Sequence, residues 1–275
     1  RETARAHRRQ PVRPRRGQNT SKSIERTAVV QSMGDPSGGP DTPWHQWEFS
    51  QAGETILCNA PAHLPDLSTL SSVRRFRSAP KSRHIPVDAY SATMGAPVRL
   101  ESGLEHGLLL HLDRDRSVTW LLAQPGCLHF RDADGKRRRH VPDLLAVDRD
   151  GNVCLWDARP TRRQDERFLT NARATEACAR LLGWSYRIHS GHGPAYEANL
   201  RWLSAFRAAK PWYPEAGDRL ARLLVSGPRP IAAVFGSDNG SGELISGLWH
   251  HVWAGRVVAD LDSPLNGATT VRWAG

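Results

Sequence analysis

Two acidic residues and one arginine occur close together near the middle of the chain, in a pattern suited to phosphate chemistry. Asp143 lies in V-P-D-L-L-A-V, and Asp157 and Arg159 lie in V-C-L-W-D-A-R-P; the turn D-R-D-G-N joins the two stretches. Residues i and i+2 of a strand face the same side, so Asp157 and Arg159 should project together. A hairpin centred near Asp150 places Asp143 opposite Asp157, because each lies seven residues from that position. The sequence therefore predicts two carboxylates and one cation on one patch.

Carboxylates on adjacent strands suit a hard cation such as Mg²⁺, which is commonly held by one or two carboxylates, with waters and phosphate oxygens completing its shell. Such an ion polarises a phosphate and lowers the pKa of an attacking water, and a neighbouring cation offsets the charge of the transition state. The pattern therefore indicates phosphodiester hydrolysis. The alternative, a solvated strand face with a weak ion pair, stays open on these residues alone.

The surrounding stretches predict the elements that would position this patch. Leucines spaced four apart predict a helix over 102–112, and apolar runs predict strands at 118–124, 127–130, 141–147 and 152–158. A helical stripe from Phe168 to Leu182, ended by Gly183, precedes another strand at 184–188. This order predicts one α/β unit over about 100–190.

A boundary at S-G-H-G-P, 190–194, precedes a second predicted domain over 195–275. Three helical stripes and two short strands there have the outline of a winged helix. The last helix, 243–254, carries Trp249, His250, His251 and Trp253 and no arginine, which favours protein docking over DNA binding. The alternative is that its tryptophans complete a small core.

The formal net charge of +10 is concentrated at the start of the chain, where residues 1–32 hold nine basic and two acidic side chains. We expect 1–43 to be a disordered basic tail and linker, with Met33 as an alternative true start. Five prolines between 61 and 97 predict a lightly structured lead-in region over 44–100, grouped with the α/β unit as a domain over 44–190.

Four scattered cysteines without C-x-x-C pairing argue against a disulfide framework and a structural zinc site, so Cys154 and His140 are expected to be structural or surface residues. No apolar run reaches the roughly 18 residues of a membrane span. We expect a soluble, cytoplasmic protein without a membrane partner.

Five motifs follow one another in a familiar order: E-S-G-L-E, A-Q-P, H-V-P-D-L-L-A-V, W-D-A-R-P and Q-D-E-R, followed by L-L-G-W-S-Y-R-I. In order and spacing they resemble TnsA-type transposon endonucleases, which are PD-(D/E)XK nucleases. The resemblance covers about 100–190 and extends loosely back to 77–87. It implies an α/β (α+β) fold, with a restriction-endonuclease-like core and mixed sheet, followed here by the small winged-helix-like C-terminal domain.

The resemblance implies catalytic roles for Glu105, Asp143, Asp157 and Arg159, with the three acids holding Mg²⁺ or, as a substitute, Mn²⁺. The family usually has Gln or Glu where Asp157 stands and Lys where Arg159 stands. The alternative for Glu105 is a helix capping box with Ser102. Lys136, as a relocated catalytic lysine, would sit in a flexible loop.

Basic runs on both sides of the acidic patch predict contacts with DNA phosphates. The residues are Lys136, Arg137, Arg138, Arg139, Arg162 and Arg163. The resemblance implies double-stranded transposon ends as substrate, and an integrase-like transposase subunit and an AAA+ ATPase as partners. The alternatives are a standalone nuclease in defence or repair, and a degenerate nuclease fold that serves as a DNA-binding or assembly module.

Overall fold

The chain folds as a mixed α/β protein, and the computed structural model describes residues 44–74 and 87–274. The predicted tail and linker, 1–43, and most of the 77–87 motif lie outside the described residues. The strands are β1 (His45–Gln51), β2 (Glu54–Cys58), β3 (Leu70–Ser71), β4 (Val87–Ser91), β5 (Ala96–Leu100), β6 (Val118–Ala123), β7 (Gly126–Arg131), β8 (Arg137–His140), β9 (Leu144–Asp148), β10 (Val153–Ala158), β11 (Ser185–His189), β12 (Arg229–Pro230), β13 (Val257–Ala259) and β14 (Thr270–Trp273). The helices are α1 (Gly103–Arg114), α2 (Glu166–Leu181), α3 (Pro194–Leu203), α4 (Tyr213–Leu224), α5 (Ile231–Phe235) and α6 (Glu243–Trp253).

A four-stranded sheet in the order β11-β10-β9-β6 carries the predicted acidic patch. Strands β6, β9 and β10 are antiparallel neighbours, and β11 runs parallel to β10 after the crossover through α2. Adjacent residues of β9 point to opposite faces: Leu144 packs in the apolar cluster with α1, whereas Leu145 packs in the cluster with α2. The sheet therefore lies between two helices, and the predicted helix–strand order over 100–190 is confirmed.

The expectation of a lightly structured region over 44–100 is wrong. Strand β1 pairs with both β2 and β7 in a second, five-stranded sheet, and β4 and β5 form a hairpin. Trp47 and Phe49 are nearly fully buried, stack with ring centroids 5.9 Å apart, and both contact Trp184. Burying these large rings anchors β1 in the core, and of the three prolines in the described part of the region Pro61 and Pro65 lie outside the strands and Pro97 lies in β5.

The basic run after Gly135 is a strand rather than the expected flexible loop. Arg137–His140 forms β8 at the edge of the five-stranded sheet, paired with β7. Charged side chains are common on edge strands, where they oppose pairing with another chain. Lys136 lies immediately before this strand, in the turn that joins it to β7.

The C-terminal region, 194–274, contains α3 to α6 and a three-stranded sheet in the order β12-β14-β13. The predicted three helices and two strands are present; α5 and the two-residue β12 are additions. Trp249, His251 and Trp253 of α6 are buried, and His250 is half-buried. Most of the side chains expected to dock a partner therefore complete the core, the alternative noted from the sequence.

Helix α1 joins this region to the rest of the fold. Its Leu110 packs in the same apolar cluster as Leu200 and Leu248, and the Arg114 guanidinium donates to the Val252 carbonyl at 3.3 Å. The described residues fall in one compact unit, and a domain division near 190–195 stays a prediction. Within 44–74 and 87–274, every helix is too short or too polar to span a membrane.

Candidate active site

A cleft of about 450 Å³ lies where the start of α1, the ends of β9 and β10, and the start of α2 meet. Glu105, Asp143, Asp157 and Arg159, the four residues predicted to carry the chemistry, all line it. They come from three separate stretches of chain, since Asp157 and Arg159 are two residues apart. The fold thus brings together the residues that the sequence singled out.

The β9–β10 hairpin places the two aspartates face to face. Its register pairs Val147 with Val153 and Leu144 with Trp156, so the next pair is Asp143 with Asp157, as predicted. Gly151 adopts φ 80° in the turn, a conformation that glycine reaches without strain. Beyond the last strand pair, the Asp143 carboxylate accepts a hydrogen bond from the Ala158 amide at 2.8 Å.

Asp157 is 2% exposed, and its Oδ2 atom has two side-chain neighbours. The Tyr186 hydroxyl donates to it at 2.5 Å, and His140 Nε2 lies 2.8 Å away. Burial, and then the charge of Asp157, raise the pKa of Tyr186, which keeps the phenol protonated as a donor. Tyr186 and His140 therefore fix the orientation of this carboxylate.

Asp143 carries the strongest electrostatic perturbation in the cleft. Burial is the largest cause that raises the pKa of Asp143 well above its usual range, followed by the charges of Asp157 and Glu105. The Ala158 amide and the charge of Arg74 oppose this rise in pKa only in part. The cleft thus concentrates more negative charge than its own cations balance.

Glu105 takes part in a variant of the capping box, in which its carboxylate bonds to the Ser102 hydroxyl and the Glu101 amide instead of the Ser102 amide. Ser102 Oγ accepts from the Glu105 amide at 3.2 Å, and Glu105 Oε1 accepts from that hydroxyl at 2.8 Å. Glu105 Oε2 accepts from the amide of Glu101 at 2.7 Å. Burial raises the pKa of Glu105 despite these hydrogen bonds, and its charge still acts on Asp143. Capping and a place in the cleft are therefore combined in one side chain.

Arg159 lies just past the end of β10 and is held away from the carboxylates. Its Nε donates to the Arg163 carbonyl at 2.8 Å, and its guanidinium lies 5.4 Å from the centre of the Phe168 ring. Within the described ranges, no carboxylate oxygen lies within 4.0 Å of its nitrogens. Asp157 and Arg159 line the same cleft, as predicted, but do not form an ion pair.

The residues predicted to contact DNA fall into two groups. Arg163 lines the cleft, and Arg162 is exposed beside it in a short 3₁₀ turn. The other residues lie on or before edge strand β8: Arg138 pairs with Asp132 at 2.6 Å, Arg137 lies 6.0 Å from the Trp44 ring centre, Lys136 lies 3.7 Å from Asp134, and Arg139 is exposed. These four residues do not line the cleft.

Sequence reasoning missed three residues around the carboxylates. Arg74 pairs with Glu101 at 2.5 Å and acts electrostatically on Asp143. Tyr186 reaches Asp157 because β11 pairs in parallel with β10. Gln124 is buried and has a φ of 43°, and its backbone N–H donates to the Asp143 carbonyl at 2.9 Å. Gln124 lies in the A-Q-P motif and Tyr186 in L-L-G-W-S-Y-R-I, but neither motif indicates a role for these side chains.

The donor set can be tested against a divalent metal. Across the described parts of the chain, no three His, Cys, Asp or Glu side chains already surround one point closely enough to hold an ion. The chemistry of Asp143 and Asp157 nevertheless suits Mg²⁺ or Mn²⁺, because both are carboxylates and the buried charge at Asp143 is undercompensated. Glu105 would join them only by leaving its capping position. Cys154 points to the face of β10 opposite Asp157.

Comparison with known proteins adds no family assignment. No protein-family model matches the chain, and no curated protein matches it significantly. The cleft and the order of the motifs are therefore the features that indicate a function.

Proposed function

We propose that the protein is a Mg²⁺-dependent DNA endonuclease subunit of a heteromeric transposase, which hydrolyses phosphodiester bonds at transposon ends. One observation carries the proposal: carboxylates from α1, from the residue before β9 and from β10 line a single cleft, where burial, and then the charges of Asp157 and Glu105, raise the pKa of Asp143. Structural ion pairs balance their charges, whereas this group does not. A bound cation and a phosphate would complete it.

The arrangement of elements supports a restriction-endonuclease-like core. A helix, an antiparallel hairpin with both aspartates, a second helix and a parallel fourth strand follow in the order that the TnsA resemblance implies. The helices and small sheet of 194–274 support a winged-helix-like C-terminal domain. The transposase and AAA+ ATPase partners are proposed from the motif order.

The chain's own residues would divide the work as follows. Asp143 and Asp157 would hold the metal, with Tyr186 and His140 orienting Asp157, and Glu105 joining after a change of rotamer. The ion, when bound, polarises the scissile phosphate and activates the attacking water. Arg159 cannot act as a general base, because a guanidinium stays protonated in proteins. It would offset the charge that develops on the phosphate.

The cations near the cleft support a polyanionic substrate. Arg163 at the rim and exposed Arg162 beside it can contact backbone phosphates. Exposed Arg139 on β8 extends this charge away from the cleft. Arg138 contributes less, since Asp132 neutralises it. Double-stranded DNA is the substrate class that these charges and the carboxylate cleft favour together.

The test is cleavage of DNA with transposon ends by the full chain and its partner transposase in Mg²⁺ or Mn²⁺. Asp143→Asn should lower the cleavage rate on the order of 1,000-fold, because metal activation contributes several kcal/mol to the transition state. Asp150→Asn, which changes an exposed aspartate at the turn of the same hairpin, is the matched control and should cut normally. Cleavage retained by Asp143→Asn would refute the assignment.

A folding measurement separates loss of chemistry from loss of structure. The folded-state pKa of Asp143 is raised, so its ionisation destabilises the fold as the pH rises above the unfolded value of about 3.9, and has no effect well below it. In chelator at neutral pH, Asp143→Asn should therefore unfold at least as high in temperature as the wild type. Cleavage without the transposase would favour the standalone nuclease, and DNA binding without metal binding would favour the degenerate module.

A further inference from the structure

Three histidines from three elements meet on the side of the sheet opposite Asp143 and Asp157. His111 comes from α1, His189 from the end of β11 and His192 from the loop before α3. Their ring centroids lie 5.0 Å (111 to 192), 5.2 Å (189 to 192) and 6.2 Å (111 to 189) apart. His189 pairs with Ala158, whose side chain lies on the face of β10 opposite Asp157, and none of the three histidines lines the cleft. This histidine cluster is therefore separate from the candidate active site.

His189 is the least satisfied member of the cluster. It is 6% exposed, and its Nε2 atom is buried without a hydrogen-bond partner in the described structure. Leaving a buried polar group unpaired destabilises a folded protein, because its hydrogen bond to water is lost and not replaced. A core that needed only packing would be served better by an apolar side chain. The free nitrogen therefore points to a ligand.

The local electrostatics keep these rings in the state that binds metals. Burial, and then His192 and His111, lower the pKa of His189 to about 4. Burial, and then His192, also lower the pKa of His111. Neutral imidazole, not imidazolium, is a metal ligand. Glu197 adds a carboxylate beside the cluster, because its Oε1 accepts from the His192 amide at 3.1 Å.

We propose that His111, His189 and His192 form a binding site for a borderline divalent cation of the Zn²⁺ class. Two imidazoles bound tetrahedrally to one zinc, with Zn–N of about 2 Å, have ring centroids about 5 Å apart. Two of the three observed separations have this value, and imidazole suits Zn²⁺, Ni²⁺ and Cu²⁺ better than Mg²⁺. No three such side chains in the described residues already converge on one point, so a ring must turn on binding. Exposed His192, on its loop, is the ring with room to do so.

Such a site would connect three elements. It would tie α1 to the end of β11 and to the loop before α3, and so to the C-terminal region. It would also hold the strand end beside the active cleft, because the His189 carbonyl accepts from the Arg159 amide at 2.9 Å. The inference does not depend on the proposed nuclease function, since the cluster shares no side chain with the cleft lining.

The test is Co²⁺ and Zn²⁺ binding by the full chain after chelator treatment, followed by the visible absorption of Co²⁺ and by thermal unfolding. The wild type should bind one Co²⁺ with a tetrahedral spectrum that Zn²⁺ abolishes. His192→Asn, at an exposed position that tolerates substitution, should weaken binding at least as much as the roughly 10- to 100-fold lost with an outer-shell partner. His189→Asn should do the same if it folds.

Two controls make the outcome decisive. His63→Asn changes an exposed histidine in a short 3₁₀ helix and should bind as the wild type does. Asp143→Asn removes one carboxylate of the cleft and should also leave the tetrahedral spectrum unchanged. Unchanged binding in His192→Asn, or binding lost in Asp143→Asn alone, would overturn the proposal. Loss of DNA cleavage is not a readout, so failure of the nuclease assignment leaves this test intact.

Discussion

Asp157 of the carboxylate cleft and His189 of the histidine cluster lie on opposite faces of β10 and β11, and the two sites respond to burial in opposite ways. Burial raises the pKa of Asp143 and lowers the pKa of His189, because removal from water disfavours whichever form is charged. In the cleft, the neighbouring groups are carboxylates that increase the shift. In the cluster, the neighbours are imidazoles that do the same. Each site therefore groups side chains of one type at a place where burial alone already disfavours their charged form.

On the two proposals, the cleft and the cluster would hold different cations. A group of carboxylate oxygens with excess negative charge attracts a hard ion, and neutral imidazoles attract a softer one. Their opposite responses to burial also give the two faces opposite pH dependence. Ionisation of Asp143 costs stability as the pH rises, whereas protonation of His189 costs stability as the pH falls. The two faces can therefore be separated by experiment without knowing the substrate.

The largest effect is expected on the acid side of the stability profile in chelator. The pKa of His189 is about 4 in the folded protein and about 6.5 unfolded, so stability is full above pH 6.5 and falls by up to about 3 kcal/mol towards pH 4. His189→Gln should flatten this part of the profile, measured by urea unfolding from pH 4 to 8. His63→Gln is the control at an exposed position. If the unfolding free energy of His189→Gln falls between pH 6.5 and pH 4 as much as that of the wild type, the cluster is hydrated.

A smaller effect is expected at the start of α1. Ser102→Ala removes the cap that holds the Glu105 carboxylate and should cost about 1 kcal/mol in unfolding free energy. Ser102→Thr keeps the oxygen and should stay within a few tenths of a kcal/mol of the wild type. If Glu105 joins the metal, stabilisation by Mg²⁺ should increase in Ser102→Ala, since the freed side chain can turn to the ion. Unchanged Mg²⁺ stabilisation there would confine Glu105 to capping.

The hairpin was predictable because its determinants are local. The D-R-D-G turn and the positions of Asp143 and Asp157 fix which residues face each other, whatever the rest of the chain does. The S-G-L-E pattern likewise fixed the capping bonds of Glu105. It could not say whether the carboxylate also lines a cleft, because that depends on where α1 packs.

The features that were missed depend on pairing between distant segments. Strand β1 meets β7 about 80 residues later, and nothing in H-Q-W-E-F-S-Q identifies that partner. Strand β8 has four charged or polar residues in a row, which only an edge position tolerates. The contact of Tyr186 with Asp157 needs the parallel register set by α2. The three histidines of the cluster become neighbours for the same non-local reason.

The smallest expected effect concerns Arg159, whose side chain is held by weak contacts. Arg159→Lys loses the hydrogen bond to the Arg163 carbonyl and the contact with Phe168, and should cost no more than about 1 kcal/mol of stability at this partly exposed site. On the proposed mechanism the lysine keeps the charge that offsets the phosphate, so cleavage should stay within about tenfold of the wild type, whereas Arg159→Gln, which removes the charge, should lose more. The comparison uses the same DNA-cleavage assay as Asp143→Asn. Equal cleavage by Arg159→Gln and the wild type would remove Arg159 from the catalytic group and leave the carboxylates as the only functional part of the cleft.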